Sequence, residues 1–179
     1  LATEDTGKSS VAIGYQALKT QNNDAENNNT AIGALAGLSI TTAIEDTLIG
    51  ALAGDALTTG KENVAVGYRS LSGDTQGKRS IAIGKDALRV QNHTTATETY
   101  NVAVGHAAGE AVTTGVQNII IGGLAGDALT TANNSVAIGY AALSSNTGNA
   151  GNTAVGMTAL QNFNVATGSA YNTAVGAAA

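Results

Sequence analysis

The amino-acid sequence predicts an all-β fold, a parallel β-solenoid (β-roll) of about ten coils with about 17 residues in each. The first observation is a five-residue segment ending in glycine, such as Asn63–Gly67, which occurs ten times. The second is spacing, because most of these glycines follow the previous one after 17 residues. The third is composition: 179 residues include 23 Gly but no Pro, Cys or Trp, which favours close stacking of repeated backbone. The repeat glycines are Gly14, Gly33, Gly50, Gly67, Gly84, Gly105, Gly122, Gly139, Gly156 and Gly176.

Each repeat is predicted to contain a short strand just before its glycine. In Val64-Ala65-Val66, β-branched residues flank a small one, and this pattern favours a strand over a helix. Val64 and Val66 then point to one face and Ala65 to the other. Both faces are apolar, which indicates burial on both sides. Asn63 lies where the chain turns into the strand, and its equivalents are suited to form a ladder between stacked coils.

The two faces of this strand predict two different packing partners. We expect the bulky residue directly before each glycine to fill the core of its own chain. The alanine before it would line an axis shared with other chains, since an open alanine face would expose an apolar patch beyond the usual few hundred Å². The pattern also allows the exchanged assignment. The predicted core residues are Ile13, Ile32, Ile49, Val66, Ile83, Val104, Ile121, Ile138, Val155 and Val175, and the interchain candidates are Ala12, Ala31, Ala65, Ala82, Ala103, Ala137, Ala154 and Ala174.

The repeats are of two kinds. Five have leucine four residues after the glycine, as in Leu71, and four have glycine there, as in Gly54. The glycine type regains an apolar residue three places later, as in Leu57. We therefore expect every coil to supply one large side chain to the same core, from one of two backbone positions.

The chain divides into a lead-in at 1–9 and a single repeat array at 10–179, which we interpret as a fragment of a longer fibre. Insertions near 21–29, 91–100 and 163–171 lengthen three of the repeats. Extra residues in solenoids usually form loops on one side, where binding surfaces often occur. Extra residues that a turn accommodates without any function would explain the insertions equally well. The candidate recognition residues in or beside these loops are His93, Tyr100, Phe163 and Tyr171.

Charge and composition argue against several classes of function. The net charge is −5, and every Lys and Arg lies at or before Arg89, so a basic nucleic-acid footprint is absent. No apolar run is long enough to cross a bilayer, and we expect no membrane insertion by this segment. No nucleophile-and-base motif or paired carboxylates stand out, so we predict that the chain is not an enzyme and has no catalytic residues, cofactor or metal.

The units NVAVGYRSL (63–71), SVAIGYQAL (10–18) and NTAVGMTAL (152–160) resemble the YadA-like head repeats of trimeric autotransporter adhesins. They are also similar to repeats of phage tail fibres. The resemblance covers the chain from Ser10 to Ala179. It implies a left-handed β-roll, a homotrimer of identical chains around one axis, and an extracellular location on a virion fibre or a bacterial cell surface.

From these observations we expect a non-enzymatic structural or adhesive segment of an extracellular trimeric fibre. Its partners would be two further copies of itself and a cell-surface glycan or protein. One alternative is an ice-binding β-solenoid, indicated by threonine pairs such as Thr58-Thr59. Such a surface needs a row of threonines with members in every coil, and coils without these pairs interrupt the row. The other alternative is a pure filament or matrix structural protein.

Overall fold

The computed structural model describes residues 9–23, 26–164 and 170–179, and in these residues the chain forms strands and turns without a helix. Ten strands form one parallel sheet in which each strand pairs with the next copy of the repeat. The chain therefore winds as a β-solenoid of about nine turns, which confirms the predicted all-β parallel solenoid. The strands are β1 (Val11–Ile13), β2 (Thr30–Ile32), β3 (Thr47–Ile49), β4 (Val64–Val66), β5 (Gly77–Lys78), β6 (Ile81–Ile83), β7 (Thr97–Glu98), β8 (Val102–Val104), β9 (Ile119–Ile121), β10 (Val136–Ile138), β11 (Thr153–Val155) and β12 (Thr173–Val175).

The corner glycines end the strands and bring neighbouring coils into close contact. They have φ between +131° and +142°, a region that only glycine adopts without strain. A Cβ atom on Gly67 would lie 2.6 Å from the carbonyl carbon and oxygen of Gly84 in the next coil. Non-glycine residues in the left-handed region follow, with φ of 56° at Arg69 and 52° at Leu71. Within the described residues, the only further pairing is the two-stranded parallel sheet of β5 and β7.

The structure reverses the predicted assignment of the two strand faces. Ala65 and Ala82 are completely buried inside their own chain, whereas Ile13 is 58% and Ile83 37% exposed. The reason is steric: the interior of so short a coil already contains a large side chain from the opposite side, which leaves room for alanine at most of the strands. None of the predicted core residues is buried; Ile13, Ile32, Ile49, Val66, Ile83, Val104, Ile121, Ile138, Val155 and Val175 all face outwards. The interchain candidates Ala12, Ala31, Ala65, Ala82, Ala103, Ala137, Ala154 and Ala174 face inwards, half-buried at the two end strands and buried elsewhere.

The large side chains of the core come from two backbone positions, as predicted. Leu18, Leu71, Leu88 and Leu143 are buried in the leucine-type coils. In the glycine-type coils the core position is taken by residues seven places after the corner glycine. These residues, Ile40, Leu57, Val112 and Leu129, are all at most 1% exposed.

Two strands have a large residue, Leu48 or Ile120, at the central position where the other strands have alanine. Each of these residues lies between two consecutive glycine-type turns, which make room for it. A Cβ on Gly37 would lie 2.9 Å from one methyl group of Leu48, and a Cβ on Gly54 would lie 2.8 Å from the second methyl group of Leu48. A Cβ on Gly109 would similarly approach Ile120 Cδ1 to 2.8 Å. A large residue therefore occurs at the centre of a strand only between two turns that have glycine in place of leucine.

Buried polar side chains tie successive coils together. In most coils the side chain four residues before the corner glycine accepts a hydrogen bond from the equivalent backbone N–H of the next coil. Asn29 Oδ1 accepts from Asp46 N at 2.9 Å, Asp46 Oδ1 from Asn63 N at 2.8 Å and Asn63 Oδ1 from Ser80 N at 2.9 Å. This confirms the predicted ladder and satisfies backbone groups that the three-residue strands leave unpaired.

The threonine pairs have a related role. The hydroxyl groups of Thr41, Thr58, Thr113 and Thr130 each donate to the backbone carbonyl 17 residues further on, at 2.8–3.2 Å. These contacts join one outer turn to the next, so coil stacking accounts for the threonines.

Replacing a corner glycine should destabilise the fold strongly. We expect Gly67→Ala to lower the free energy of unfolding by about 3 kcal/mol or more, since the new Cβ adds backbone strain and meets the next coil. Urea denaturation followed by circular dichroism would measure the loss. Gly123→Ala is the matched control, because its Cβ would meet only the ring of Tyr140 at 3.7 Å. Equal tolerance of both changes would contradict this explanation.

The exchange of size between turn and strand can be tested with Leu48. Leu48→Ala should cost about 2–5 kcal/mol, because removal of this completely buried side chain leaves a cavity next to Gly37 and Gly54. Ala82→Leu should also destabilise, by about 1–3 kcal/mol, since the neighbouring coils already contain Leu71 and Leu88. Thermal unfolding of both variants would check this, and a stabilised Ala82→Leu protein would show that the interior has unused space.

Candidate functional site

The most unusual surface of the molecule is the outward side of the ten-stranded sheet. We call it the outer face and define it as the first and third residue of each three-residue strand. All of these side chains are β-branched, none is charged, and four are threonines. The outer face comprises Val11, Ile13, Thr30, Ile32, Thr47, Ile49, Val64, Val66, Ile81, Ile83, Val102, Val104, Ile119, Ile121, Val136, Ile138, Thr153, Val155, Thr173 and Val175.

The outer face is long, flat and regular. Identical positions pair across the whole sheet, and the 21-residue step from Gly84 to Gly105 leaves Ala82 opposite Ala103. Strands about 4.8 Å apart make a surface roughly 48 Å tall and about 10 Å wide, on the order of 500 Å². The largest apolar patch on a soluble monomer is commonly of this size, and it is often functional.

Aromatic residues border the outer face on both sides. Tyr15, Tyr68 and Tyr140 directly follow a corner glycine and are 46–70% exposed. Tyr100 and Tyr171 lie two residues before a strand, at the opposite edge, and are 48% and 76% exposed. All five tyrosines of the chain therefore flank this surface. Tyrosine is enriched at interfaces because it combines an apolar ring with a polar end.

A cluster of charges lies at the edge that carries Tyr100. Arg79 Nε donates to Glu62 Oε2 at 2.7 Å, Arg79 Nη1 donates to the Tyr100 hydroxyl at 3.1 Å, and the same guanidinium contacts Glu98. Hydrogen bonding from Arg79 holds the pKa of Glu62 below its usual value. The cluster fastens the second insertion, which contains β7, to the preceding coils.

One of the four predicted recognition residues, His93, is not on the surface. His93 is only 6% exposed, and its backbone N–H donates to Asp74 Oδ1 at 3.0 Å. Asp74 also accepts from Gln91, which in turn donates to Ser80, so this part of the insertion is a buried polar network. The prediction for His93 is wrong because the insertion folds its first residues into the coil.

Phe163 is partly buried and packs against the hydrophobic core. It follows its corner glycine by seven residues, the position that Leu57 and Leu129 use to fill their coils. Tyr100 and Tyr171 are exposed as expected, at the edge of the outer face. Residues 1–8 of the lead-in, 24–25 of the first insertion and 165–169 of the third lie outside the described residues.

Among the described residues, the other features are smaller than the outer face. A cavity of about 300 Å³ next to Leu160, Phe163 and Ala179 is the open cross-section at the C-terminal end of the stack. In the described part of the chain, no three His, Cys, Asp or Glu side chains are placed to hold a metal ion. That part also contains no helix of the length and apolarity needed to span a membrane.

The sequence contains a signal that identifies the outer face. In two repeats the alanine of the strand is replaced by the larger Leu48 or Ile120, and both occur between glycine-type turns. Such paired changes of size indicate that the alanine column faces the interior of its own coil. The β-branched columns must then face outwards.

Comparison with known proteins identified no relative. No family model, curated protein or solved structure matches this chain.

Proposed function

We propose that this chain is a non-enzymatic structural or adhesive segment of an extracellular trimeric fibre, in which the outer faces of three left-handed rolls pack around a common axis. The observation that carries the proposal is the uninterrupted outer face of β-branched side chains with no charge. Left in water, these columns would expose apolar surface along the whole solenoid.

The dimensions of the outer face suit self-association of parallel copies. In the trimer, the threefold axis runs parallel to the solenoid. One edge of each outer face then contacts the opposite edge of the neighbouring chain's outer face, at the same level along this axis. The rings of Tyr68 and Tyr140 on one edge and Tyr100 on the other then extend the contact beyond the strands. This enlarges the contact area from on the order of 500 Å² towards the roughly 800 Å² per partner of a stable interface.

The number of chains and the handedness rest on the resemblance of the repeats to YadA-like heads and phage tail-fibre repeats. A stiff rod that repeats every 17 residues is suited to hold a binding site at a distance from its base. Tyr15 and Tyr171 lie beside the end strands β1 and β12 and are not among the rings assigned to the contact between chains. They are the best candidates for contact with a cell-surface glycan or protein, since aromatic rings pack well against other surfaces.

The proposal predicts an assembly that charge on the outer face disrupts. Wild-type protein should sediment at three times the 17.6 kDa of one chain. The double change Ile83→Lys with Ile121→Lys should sediment as one chain with an unchanged circular dichroism spectrum, because both side chains are exposed in the monomer. Analytical ultracentrifugation at micromolar concentration measures both.

Two further variants make the result specific. Thr59→Lys adds a charge at an exposed turn away from the strands and should remain trimeric. Ala82→Gln adds a polar group to the interior and should unfold the protein rather than dissociate it. A monomeric wild type, or a lysine variant that remains trimeric, would refute the proposed packing.

Adhesion is tested separately from assembly. A glycan array probed with the wild-type trimer should give signals that fall at least severalfold in Tyr171→Ser, since Tyr171 is the most exposed aromatic residue described. Absence of any signal with a confirmed trimer would favour the pure spacer function.

A further inference from the structure

One residue of the side-chain ladder has a carboxyl group in place of the amide that the asparagines of the ladder have. Four asparagines, Asn29, Asn63, Asn101 and Asn118, use both ends of the amide in the same way. The Oδ1 atom accepts from the backbone N–H of the next coil at 2.9–3.0 Å. The Nδ2 group donates to the carbonyl 14 residues further on, at 2.7–3.1 Å.

Asp46 occupies this position in the third coil. Its Oδ1 atom accepts from Asn63 N at 2.8 Å, as the asparagines do in their coils. Its Oδ2 atom is buried without a hydrogen-bond partner, and the residue is 1% exposed. By the same spacing of 14, the carbonyl that an amide would reach here belongs to Gly60. A carboxylate offers no donor for it, whereas a carboxylic acid does.

The charges around Asp46 do not favour ionisation. Glu45 and Glu62 are the charged groups that act on it, from its own coil and from the next, and both are acidic. The cation nearest to them, Arg79, is hydrogen-bonded to Glu62 on the surface. An ionised Asp46 would therefore be a buried negative charge without a counter-ion, which is among the costliest states in a protein interior.

We propose that Asp46 is held in the folded solenoid as a neutral carboxylic acid whose Oδ2–H replaces the amide N–H of the ladder, and that loss of this proton weakens the stacking of the third coil as the pH rises. The device is independent of trimer formation, because every group involved lies within one chain.

The direction of the pH dependence follows from linkage. Burial raises the pKa of Asp46 from its ordinary 3.8 to about 8. Between these values folding takes up a proton, so the stabilisation present below pH 4 is lost as the pH rises through about 8. Each pH unit in this window should lower the folding constant about tenfold. Burial also raises the pKa of Asp55 and Asp127, which adds to the same trend.

The direct test is a ¹³C NMR titration of the Asp46 side-chain carboxyl group in the folded protein. We expect its chemical shift to remain that of an acid up to at least pH 6. A carboxyl signal that titrates near pH 4 would overturn the proposal.

Denaturation as a function of pH supplies a second, independent readout. Asp46→Asn should match wild type near pH 4 and be at least a hundredfold more stable in its folding constant at pH 8, with a smaller slope between. Asn118→Asp places the same acid at an equivalent site and should steepen the slope. Glu45→Gln removes one of the two acidic charges that act on Asp46 and should make the slope shallower without abolishing it. An Asp46→Asn protein with the wild-type slope would refute the assignment.

Discussion

The narrow interior of the coil is the constraint on which the rest of the structure depends. Seventeen residues enclose space for one or two large aliphatic side chains per coil. When the turn supplies a large side chain, as at Leu71 or Leu88, the strand has room only for alanine. When the turn has glycine, the strand of the adjacent coil accommodates Leu48 or Ile120. Packing of this kind leaves no choice about which side of the strand faces inwards.

The exclusion of bulky residues from the interior creates the surface that we propose as functional. Every coil must still form a strand, and β-branched residues favour that conformation. Since these residues do not fit inside, they collect on the outward side, where stacking aligns them in two columns along the sheet. A feature needed for strand formation thereby becomes an extended apolar face, and association with further copies of the chain is the simplest way to cover it.

Polar groups inside the solenoid serve a different purpose from the apolar ones. The hydrogen bonds of Asn29, Asn63 and their equivalents join each coil to the next, and they discriminate between correct and shifted stacking because they join identical positions. The same regularity makes exceptions informative. Asp46 is recognisable as an exception because the asparagines at the equivalent positions show which hydrogen bonds an amide forms there. His93 is an exception because an insertion has turned an outer position into a buried one.

The sequence by itself determined the repeat length, the strand position, the parallel stacking and the two sources of core side chains, because each is local or recurs at a fixed spacing. The glycine before each turn, the asparagine before each strand and the Leu71 and Leu57 types of coil were all recognisable from the pattern. Which face of the strand lies inside was decided only by the tertiary structure, since Val64 and Val66 suit either a core or an interface. The positions of His93 and Phe163 likewise depended on how inserted residues return to the coil, and this is set by the space left between neighbouring rungs.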